Sequence, residues 1–497
     1  MVHYLPFLYT ASAILSSLSS ASSTAIDGFM KHRRHVARNN FLFSRDETLY
    51  TRSDCEPADP QNTVTDRLQA LLNNSGPGYT LPLCPSTQYY LQATLNFSAP
   101  NQEISTAGYP TGDERATLVV VGPVGNGAGM TTAVNGACQN CDGIVLRNVQ
   151  INGTRLGGPE LSGGANIEMG GGNSNQLIEY VHSFDPRGWS CLHIAEGPFS
   201  CNNVTVQNND IGPCGNDAFQ QWADGISVSC MNSLVRNNMV NNPTDGGIVI
   251  FGSPGTLVEN NTIWVETNTL LGGINMVDYD PWQGNFTNTI VRNNTIKGGF
   301  ATSTAVAGEA DGSNNYDVII KIGIAIGPRT WFGNEYYNNV SSSGTVLNNQ
   351  LEGAFGYAMA ISSARNFTVE GNKLVGNTSF IGARGPNCTS NDVVPTPAPF
   401  VVDQSTVTMS TEQTDFQNIS DGDSLTCILP PDGGDYWPFG GNPSSTQSSR
   451  SSKGLSGGAK AGIAIGVIVG VVTLAVLTYL IRRWALRRAS ARSVRTW

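Results

Sequence analysis

The sequence predicts an all-β protein that folds as a right-handed parallel β-helix solenoid. Two short phrases recur through the middle of the chain, and most successive copies are 22 to 34 residues apart. In the first phrase apolar residues flank a pair of asparagines, with clear copies at 206–211, 235–240, 258–263 and 291–296. In the second phrase one residue separates two apolar residues, with copies at 167–169, 192–194, 226–228, 248–250, 274–276, 324–326 and 359–361.

Each phrase has the length and the alternation of a short strand with one apolar face. A single strand of this length cannot bury that face, so successive coils must stack around a common core. Asparagine suits the turns because it tolerates left-handed backbone angles, and paired asparagines can stack as ladders along the solenoid axis. A β-propeller would need more regular blades of ~40–50 residues, so the solenoid is favoured.

The two ends of the chain predict export and a membrane anchor. Residues 2–21 are mainly apolar and end in small residues, which is typical of a signal peptide. Residues 461–481 carry no charge and are long enough to cross a bilayer, and six arginines without an acid follow them. We therefore expect a single-pass type I protein of the cell membrane with its main domain outside. Glycines at 462, 466 and 470 have the spacing that allows a homodimer through this helix.

The predicted organisation has eight segments. They are a signal peptide (1–25), a basic leader or propeptide-like segment (26–54), an N-terminal cap with the first coils (55–134), the parallel β-helix (135–385), a C-terminal extension (386–429), a flexible Ser/Gly/Pro stalk (430–458), the transmembrane helix (459–481) and a basic cytosolic tail (482–497). Residues 300–316 are small, polar and Gly-rich, and we expect them to form a loop that overhangs a binding face.

Ten cysteines and twelve Asn-x-Ser/Thr sequons fit an oxidising, glycosylating compartment. Cys55–Cys84 and Cys388–Cys427 are plausible disulfides because each pair is isolated in the chain. Cys138-x-x-Cys141 has no matching second pair, which favours a structural disulfide over a zinc or redox motif. No metal site is evident, and the pairing of the other cysteines is left open.

The charge of the predicted outer domain is strongly negative. The whole chain has a net charge of −10, but residues 53–449 contain 13 Lys/Arg against 35 Asp/Glu, a net charge of −22. Such a field repels nucleic acid and polyanions. It tolerates a neutral polysaccharide as a partner.

The Asn-Asn-x-Ile coils over roughly 118–385 resemble the repeats of the pectin-lyase-like superfamily. The resemblance implies a protein that cleaves or epimerises polysaccharides, or less often an adhesin. The polygalacturonase signature is absent, since the sequence has no Asn-Thr-Asp, Asp-Asp, Gly-His-Gly or Arg-Ile-Lys. Residues 184–187 (Phe-Asp-Pro-Arg) resemble the Asp-Pro-His segment of alginate epimerases, with Arg187 in the place of the catalytic histidine.

Strand alternation predicts which side chains point outward. The middle residue of each second phrase faces out, which gives one outward row: Glu168, His193, Ser227, Val249, Asn275, Ala325 and Ala360. A second outward row, near the start of the same strands, contains Trp189, Ala223, Asp245, Leu271, Lys321 and Tyr357. Neighbouring coils are ~4.8 Å apart, so each row would line a groove along the solenoid.

This groove is the predicted site of chemistry. The candidate acid–base residues are Glu168, His193, Asp224, Asp245 and Asp278, and the candidate substrate-binding residues are Trp189, Arg187, Tyr279, Trp282, Asn275 and Lys321. Carboxylates, a histidine and aromatic rings are what glycan binding and glycoside hydrolysis require. For any single aspartate next to glycine, ordinary turn chemistry explains the motif as well.

The favoured function is an extracellular glycoside hydrolase that acts on cell-wall or matrix polysaccharides without a cofactor. A non-catalytic glycan-binding or adhesive surface protein is the first alternative. A polysaccharide lyase or C5-epimerase is the second, and it would use Arg187, Lys321 or Arg329 to handle a uronate carboxylate, often with calcium.

Overall fold

The computed structural model describes residues 55–216, 221–299, 318–333, 336–380, 382 and 397–426. These residues form a solenoid of parallel strands whose coils stack along one axis. Each coil contributes up to three short strands, so that the stacked coils have three faces, here called face 1, face 2 and face 3. The predicted parallel β-helix is confirmed.

The strands of each face pair in parallel with the coils above and below. Face 1 contains Thr80–Leu83, Glu103–Thr106, Val145–Arg147, Leu177–Glu179, Thr205–Gln207, Leu234–Arg236, Leu257–Glu259, Ile290–Arg292, Thr345–Leu347, Thr368–Glu370 and Thr411–Glu412. Face 2 contains Gln88–Leu91, Ala116–Val120, Val149–Asn152, His182–Phe184, Asp210–Ile211, Met239–Asn241, Thr262–Trp264, Thr295–Lys297 and Lys373–Phe380. Face 3 contains Leu95–Asn96, Val134–Asn135, Ile167–Gly170, Ser190–Ala195, Asp224–Val228, Gly246–Ile250, Leu270–Met276, Ile320–Ile326, Phe400–Val402 and Gln417–Asn418. The long strand Gln350–Ile361 runs across faces 2 and 3. Two short pairs lie outside the faces: Val124–Gly125 with Ala128–Gly129, and Ser341–Ser342 with Ala364–Arg365.

The paired asparagines form the corner between faces 1 and 2. The first asparagine of a pair adopts a left-handed backbone, as in Asn237 with φ of 55°. The second is buried, and its amide joins the equivalent amides of the neighbouring coils. Asn238, for example, accepts from Asn209 Nδ2 and donates to Asn261 Oδ1, both at 2.9 Å. The ladder comprises Asn209, Asn238, Asn261, Asn294, Asn349 and Asn372.

The predicted alignment of the first outward row is confirmed, because its residues pair with one another in adjacent coils of face 3. Glu168 pairs with His193 and His193 with Ser227 in adjacent coils. The same row then continues through Val249, Asn275, Ala325, Ala360 and Val401. Asn135 precedes Glu168 in the row. Residues distant in sequence are therefore aligned along one wall.

An amphipathic helix, α1 (Val64–Ser75), packs against the first coil. Val64, Leu68 and Leu72 lie one helical turn apart and are fully buried against the core. The helix ends at Gly76, whose φ is 74°. Apolar burial on the i, i+4, i+8 positions fixes this helix on the first strands, which are Thr80–Leu83, Gln88–Leu91 and Leu95–Asn96.

Four disulfides tie the described coils together. Cys55–Cys84 and Cys138–Cys141 are formed as predicted. The remaining two are Cys191–Cys214 and Cys201–Cys230. The predicted pair Cys388–Cys427 lies outside the described residues. Cys191 lies near the start of the face 3 strand that carries His193, and Cys201 follows the end of that strand.

A second apolar layer covers the outside of face 3 in the C-terminal coils. A short helix, α2 (Arg329–Phe332), and the segment 397–426 pack on outward side chains of the last strands. The residues of this layer are Leu271, Val277, Ile322, Ala325, Trp331, Tyr357, Ala360, Ala398, Val401, Ile419 and Leu425. The segment also adds one more coil, through Phe400–Val402, Thr411–Glu412 and Gln417–Asn418.

The second predicted outward row is confirmed only in part. Leu271 and Tyr357 do face outward, although the second apolar layer covers them, whereas Ala223 points into the main core. Lys321 is only 4% exposed. The register also differs, because Tyr357 pairs with Ile322 rather than with Lys321.

The predicted overhanging loop at 300–316 and the predicted membrane helix at 459–481 lie outside the described residues. Among the residues that the structure does describe, no helix combines the length and hydropathy needed to cross a bilayer.

Candidate functional site

A cavity of about 250 Å³ opens on face 3, where the outward row passes from polar to apolar residues. Its lining combines three carboxylates with aromatic and aliphatic side chains. The lining residues are Trp189, Asp224, Asp245, Val249, Phe251, Asn275, Val277, Asp278, Trp331 and Phe332. Consecutive coils supply these residues, so the repeat itself brings the acids together. We call this cavity the acidic pocket.

Asp224 is the most buried of the three acids in the acidic pocket. Its Oδ2 accepts from Ser227 Oγ at 2.8 Å, and its Oδ1 accepts from the backbone N–H of Gly246 at 2.8 Å. Burial raises the pKa of Asp224 well above its ordinary value, and the charge of Asp245 raises this pKa further. Both carboxyl oxygens are occupied by protein donors, so Asp224 is held in one orientation.

Asp245 retains partly exposed surface in the pocket. Burial among its neighbours raises the pKa of Asp245 to about 7, and the charge of Glu160 also contributes to this increase. Glu160 is itself a partly buried carboxyl, and its pKa is raised by burial. A carboxyl that stays protonated close to neutral pH has the property required of a general acid.

Asn275 lines the base of the pocket beside these acids. It is 2% exposed, and its Oδ1 finds no hydrogen-bond partner within the described part of the chain. A Cβ on Gly246 would lie 2.8 Å from Asn275 Nδ2 and 3.0 Å from Asp224 Oδ1. The absence of a side chain at position 246 therefore lets two polar groups converge. The oxygen of this amide is itself buried, and it faces the backbone at Gly272.

Trp331 and Phe332 of α2 form the C-terminal side of the acidic pocket. Helix α2 is fixed by Arg329, whose Nε and Nη2 donate to the two carboxylate oxygens of Asp423 at 2.5 and 2.6 Å. The backbone N–H of Leu425 also donates to the carbonyl of Thr330 at 2.8 Å. This aromatic wall is thus held by a bidentate ion pair and by the backbone.

Glu168 and His193 lie on the opposite, N-terminal side of the pocket. Glu168 Oε2 is 2.7 Å from His193 Nδ1, and Glu168 Oε1 accepts from the backbone N–H of Ala165 at 2.7 Å. The His193 ring meets the Trp189 ring edge-on, with 4.8 Å between the centroids. The structure therefore connects this pair to the pocket through Trp189.

The structure brings five of the predicted site residues into the pocket lining, and two more, Glu168 and His193, next to it. The five are Trp189, Asp224, Asp245, Asn275 and Asp278. The other four predicted residues contact the protein elsewhere.

Of these four, Arg187 donates to Thr154 Oγ1 and to the carbonyls of Gly122 and Met130, which joins two loops. Trp282 Nε1 donates to the carbonyl of Ser229.

The remaining two are Tyr279, whose ring packs against Tyr336, and Lys321, which is buried. In the described part of the chain no group of three or more His, Cys, Asp or Glu side chains is arranged to hold a metal ion.

Sequence reasoning missed several residues of the site. Phe251 and Val277 each come directly after a face 3 strand. Their distance from the repeated phrase could therefore have placed them beside the pocket. Trp331, Phe332 and Glu160 belong to non-repeating segments, whose positions the repeat does not determine. The aromatic pair Trp331-Phe332 beside Arg329 was the available local signal for a packed helix.

Comparison with known families agrees with this architecture. A family described as "Right handed beta helix region" matches residues 135–374. No curated protein sequence matches the chain.

Several solved structures are similar to the chain. An alginate lyase from Paenibacillus sp. str. FPU-7 is 14% identical, with a TM-score of 0.38, over 64% of this chain and 95% of the lyase. A DFA-IIIase from Arthrobacter chlorophenolicus A6 is 12% identical, with a TM-score of 0.44, over 74% of this chain and 93% of that enzyme. The A-module of an Azotobacter vinelandii mannuronan C-5 epimerase is 12% identical, with a TM-score of 0.42, over 73% of this chain and 88% of the module. At these identities the likeness concerns the fold.

Proposed function

Because this chain is a right-handed parallel β-helix protein, we propose that its acidic pocket hydrolyses glycosidic bonds in a neutral polysaccharide. The observation that carries the proposal is that three aspartates and four aromatic side chains line one cavity. His193 lies beside this cavity, with its ring against that of Trp189. Glycoside hydrolysis uses two carboxyl groups with opposite protonation states.

In the proposed reaction Asp245 donates its proton to the glycosidic oxygen as the bond from that oxygen to the anomeric carbon breaks. Asp278, which is partly exposed at the pocket, supplies the carboxylate that takes a proton from a water as the oxygen of that water forms the new bond to the anomeric carbon. Asp224 orients the array through Ser227 and Gly246. Trp189 and Trp331 offer apolar ring faces for a sugar.

The charges favour a neutral substrate over a uronate. The lining of the pocket contains three aspartates and no lysine or arginine, so a substrate carboxylate would find no counter-charge there. Two of the cations considered for a lyase or epimerase are engaged elsewhere, Arg187 by backbone carbonyls and Arg329 by Asp423. Hydrolysis therefore has more support than elimination or epimerisation, for which calcium would be a cofactor.

Glycan binding without turnover is a second candidate. The aromatic walls of the acidic pocket would support binding whether or not a bond is cleaved. We also propose that the protein is exported, glycosylated and anchored through 459–481, with the solenoid outside the cell, since the ends of the sequence have that pattern.

The test is incubation of the purified full-length protein with laminarin, xylan, mannan and inulin. We expect reducing sugars to appear from at least one polysaccharide, with one ¹⁸O atom incorporated per cleavage in labelled water. Unsaturated products from a uronate polymer such as alginate, tested in parallel, would instead indicate a lyase. Tight binding without any products would support the binding protein and contradict hydrolysis.

Glu160 is expected to set part of the pH dependence. Its negative charge raises the pKa of Asp245, so Glu160→Gln should lower that pKa. Since Asp245 must be protonated to act, the activity of the variant should decline at a lower pH than that of the wild type. The measurement is kcat/KM against pH, with Glu266→Gln, an exposed substitution, as the control. If kcat/KM of Glu160→Gln declines at the same alkaline pH as that of the wild type, Asp245 is not the proton donor.

Gly246→Ala is expected to disrupt the pocket floor. The new Cβ would lie under 3.0 Å from Asn275 Nδ2 and from Val249 Cγ2, so these groups must move. Displacements of this size lower turnover by roughly tenfold or more. Gly125→Ala is the matched control because a Cβ there meets nothing within 4 Å. Steady-state kinetics and thermal unfolding of both variants test the prediction, and equal kinetics in the two would contradict it.

A further inference from the structure

Along the outward row of face 3, exposure returns beyond Ser227 on the N-terminal side of the acidic pocket and does not return on the C-terminal side. Toward the N-terminal coils the outward row is polar and increasingly exposed. Ser227 is fully buried, but the side chains of His193 and Glu168 are 18% and 21% exposed. Asn135 continues the row, and Asn96 at its start is exposed. A chain of sugars can lie along these coils.

Toward the C-terminal coils the same row is sealed. The positions after Asn275 are Ala325, Ala360 and Val401, and each is 0% exposed. These residues are covered by the second apolar layer. A polysaccharide cannot continue along the row past Asn275 without displacing that layer.

The closing wall is a fixed part of the fold. Trp331 is 5% exposed and still lines the pocket. The Arg329–Asp423 ion pair and the backbone bonds of Ser424 and Leu425 to α2 hold this wall against the last coils. The pocket volume of about 250 Å³ is below the ~300–1,000 Å³ usual for ligand sites, which suits a terminal sugar better than an internal stretch of chain.

Resting on the proposed hydrolysis, we propose that the acidic pocket takes the end of a polysaccharide chain and releases small products from that end. The terminal sugar lies against Trp331 and Phe332, and the scissile bond lies over the acids. The rest of the chain leaves across Trp189, His193 and Glu168 toward the N-terminal coils. His193 and Glu168 are then binding residues for the sugars beyond the scissile bond.

The first experiment follows product sizes. The full-length protein is incubated with whichever of laminarin, xylan, mannan and inulin it hydrolyses, and products are separated by size from the earliest time points. We expect one small product while the remaining polymer keeps nearly its full length. A broad ladder of oligosaccharides with rapid loss of viscosity would overturn chain-end action while leaving hydrolysis itself intact. No cleavage of any of the four would remove the proposed function and this inference together.

The second experiment tests the direction of the chain. His193→Ala should raise KM for a pentasaccharide of the hydrolysed polymer by about tenfold, and should raise KM for the disaccharide, which has only one sugar beyond the scissile bond, by much less. His182→Ala is the matched control, because His182 lies on face 2, stacked on Phe184. If His193→Ala unfolds like the wild type and changes KM equally for both substrates, the polysaccharide does not run from the pocket toward the N-terminal coils. Asp423→Asn, which weakens the wall, should increase the share of longer products.

Discussion

Replacing Asp245 with asparagine is expected to lower the turnover number on the hydrolysed polysaccharide by ~10²- to 10⁴-fold, the usual contribution of a general acid. The substitution keeps the shape of the side chain and removes only the transferable proton. KM should change little, because the amide can still bond a sugar oxygen. The measurement is steady-state kinetics below pH 7, where the raised pKa of about 7 keeps Asp245 protonated in the wild type.

Two further variants make this result specific. Asp210→Asn changes a carboxylate on face 2, 4.0 Å from His182, and should leave turnover unchanged. Asp278→Asn should also abolish most of the turnover, since it removes the proposed second carboxylate of the pocket. An Asp245→Asn protein that keeps most of its activity would show that the proton comes from another group.

Replacing Asn238 with alanine is expected to lower the free energy of unfolding by about 3–5 kcal/mol. Asn238 is 2% exposed, donates to the carbonyl of Val206 and to Asn261 Oδ1, and accepts from the backbone and side-chain N–H groups of Asn209. Alanine would leave several of these buried groups without partners, at ~1–3 kcal/mol each before water or local shifts offset part of the loss. Urea unfolding followed by circular dichroism measures the difference.

The adjacent residue gives the control for the asparagine ladder. Asn237 is exposed and has φ of 55°, a backbone conformation that glycine adopts without strain. Asn237→Gly should therefore change stability by only a few tenths of a kcal/mol to about 1 kcal/mol. Similar losses in both variants would mean that the corner conformation, rather than the buried amides, provides the stabilisation.

The repeating part of the structure could be predicted from the sequence because its contacts repeat in the sequence. Alternation within the short phrases determines which side chains face out, and the spacing of the phrases aligns them. The row from Glu168 to Ala360 follows from these two facts alone. The asparagine ladder follows from the paired asparagines in the same way.

The C-terminal side of the site could not be predicted in this manner. Helix α2 and the segment 397–426 contact face 3 only once, so no periodicity indicates where they pack. Tyr357 and Lys321 consequently looked exposed, although both are buried, Tyr357 within the second apolar layer. Arg187 is a similar case, since its three hydrogen-bond partners come from loops 33 to 65 residues away. Individual side-chain partners of this kind depend on the path of the chain in three dimensions.

The origin of the three pocket acids in consecutive coils has a consequence for how such proteins can diversify. Their separation along the axis is measured in whole strand spacings of ~4.8 Å, so a duplicated coil inserted between Asp224 and Asp278 would move the acids out of reach of one another. A duplication upstream of Glu168 would leave their geometry intact and simply extend the track along which the polymer lies. Substrate length preference can therefore evolve by the gain or loss of entire repeats on the open side, independently of the chemistry.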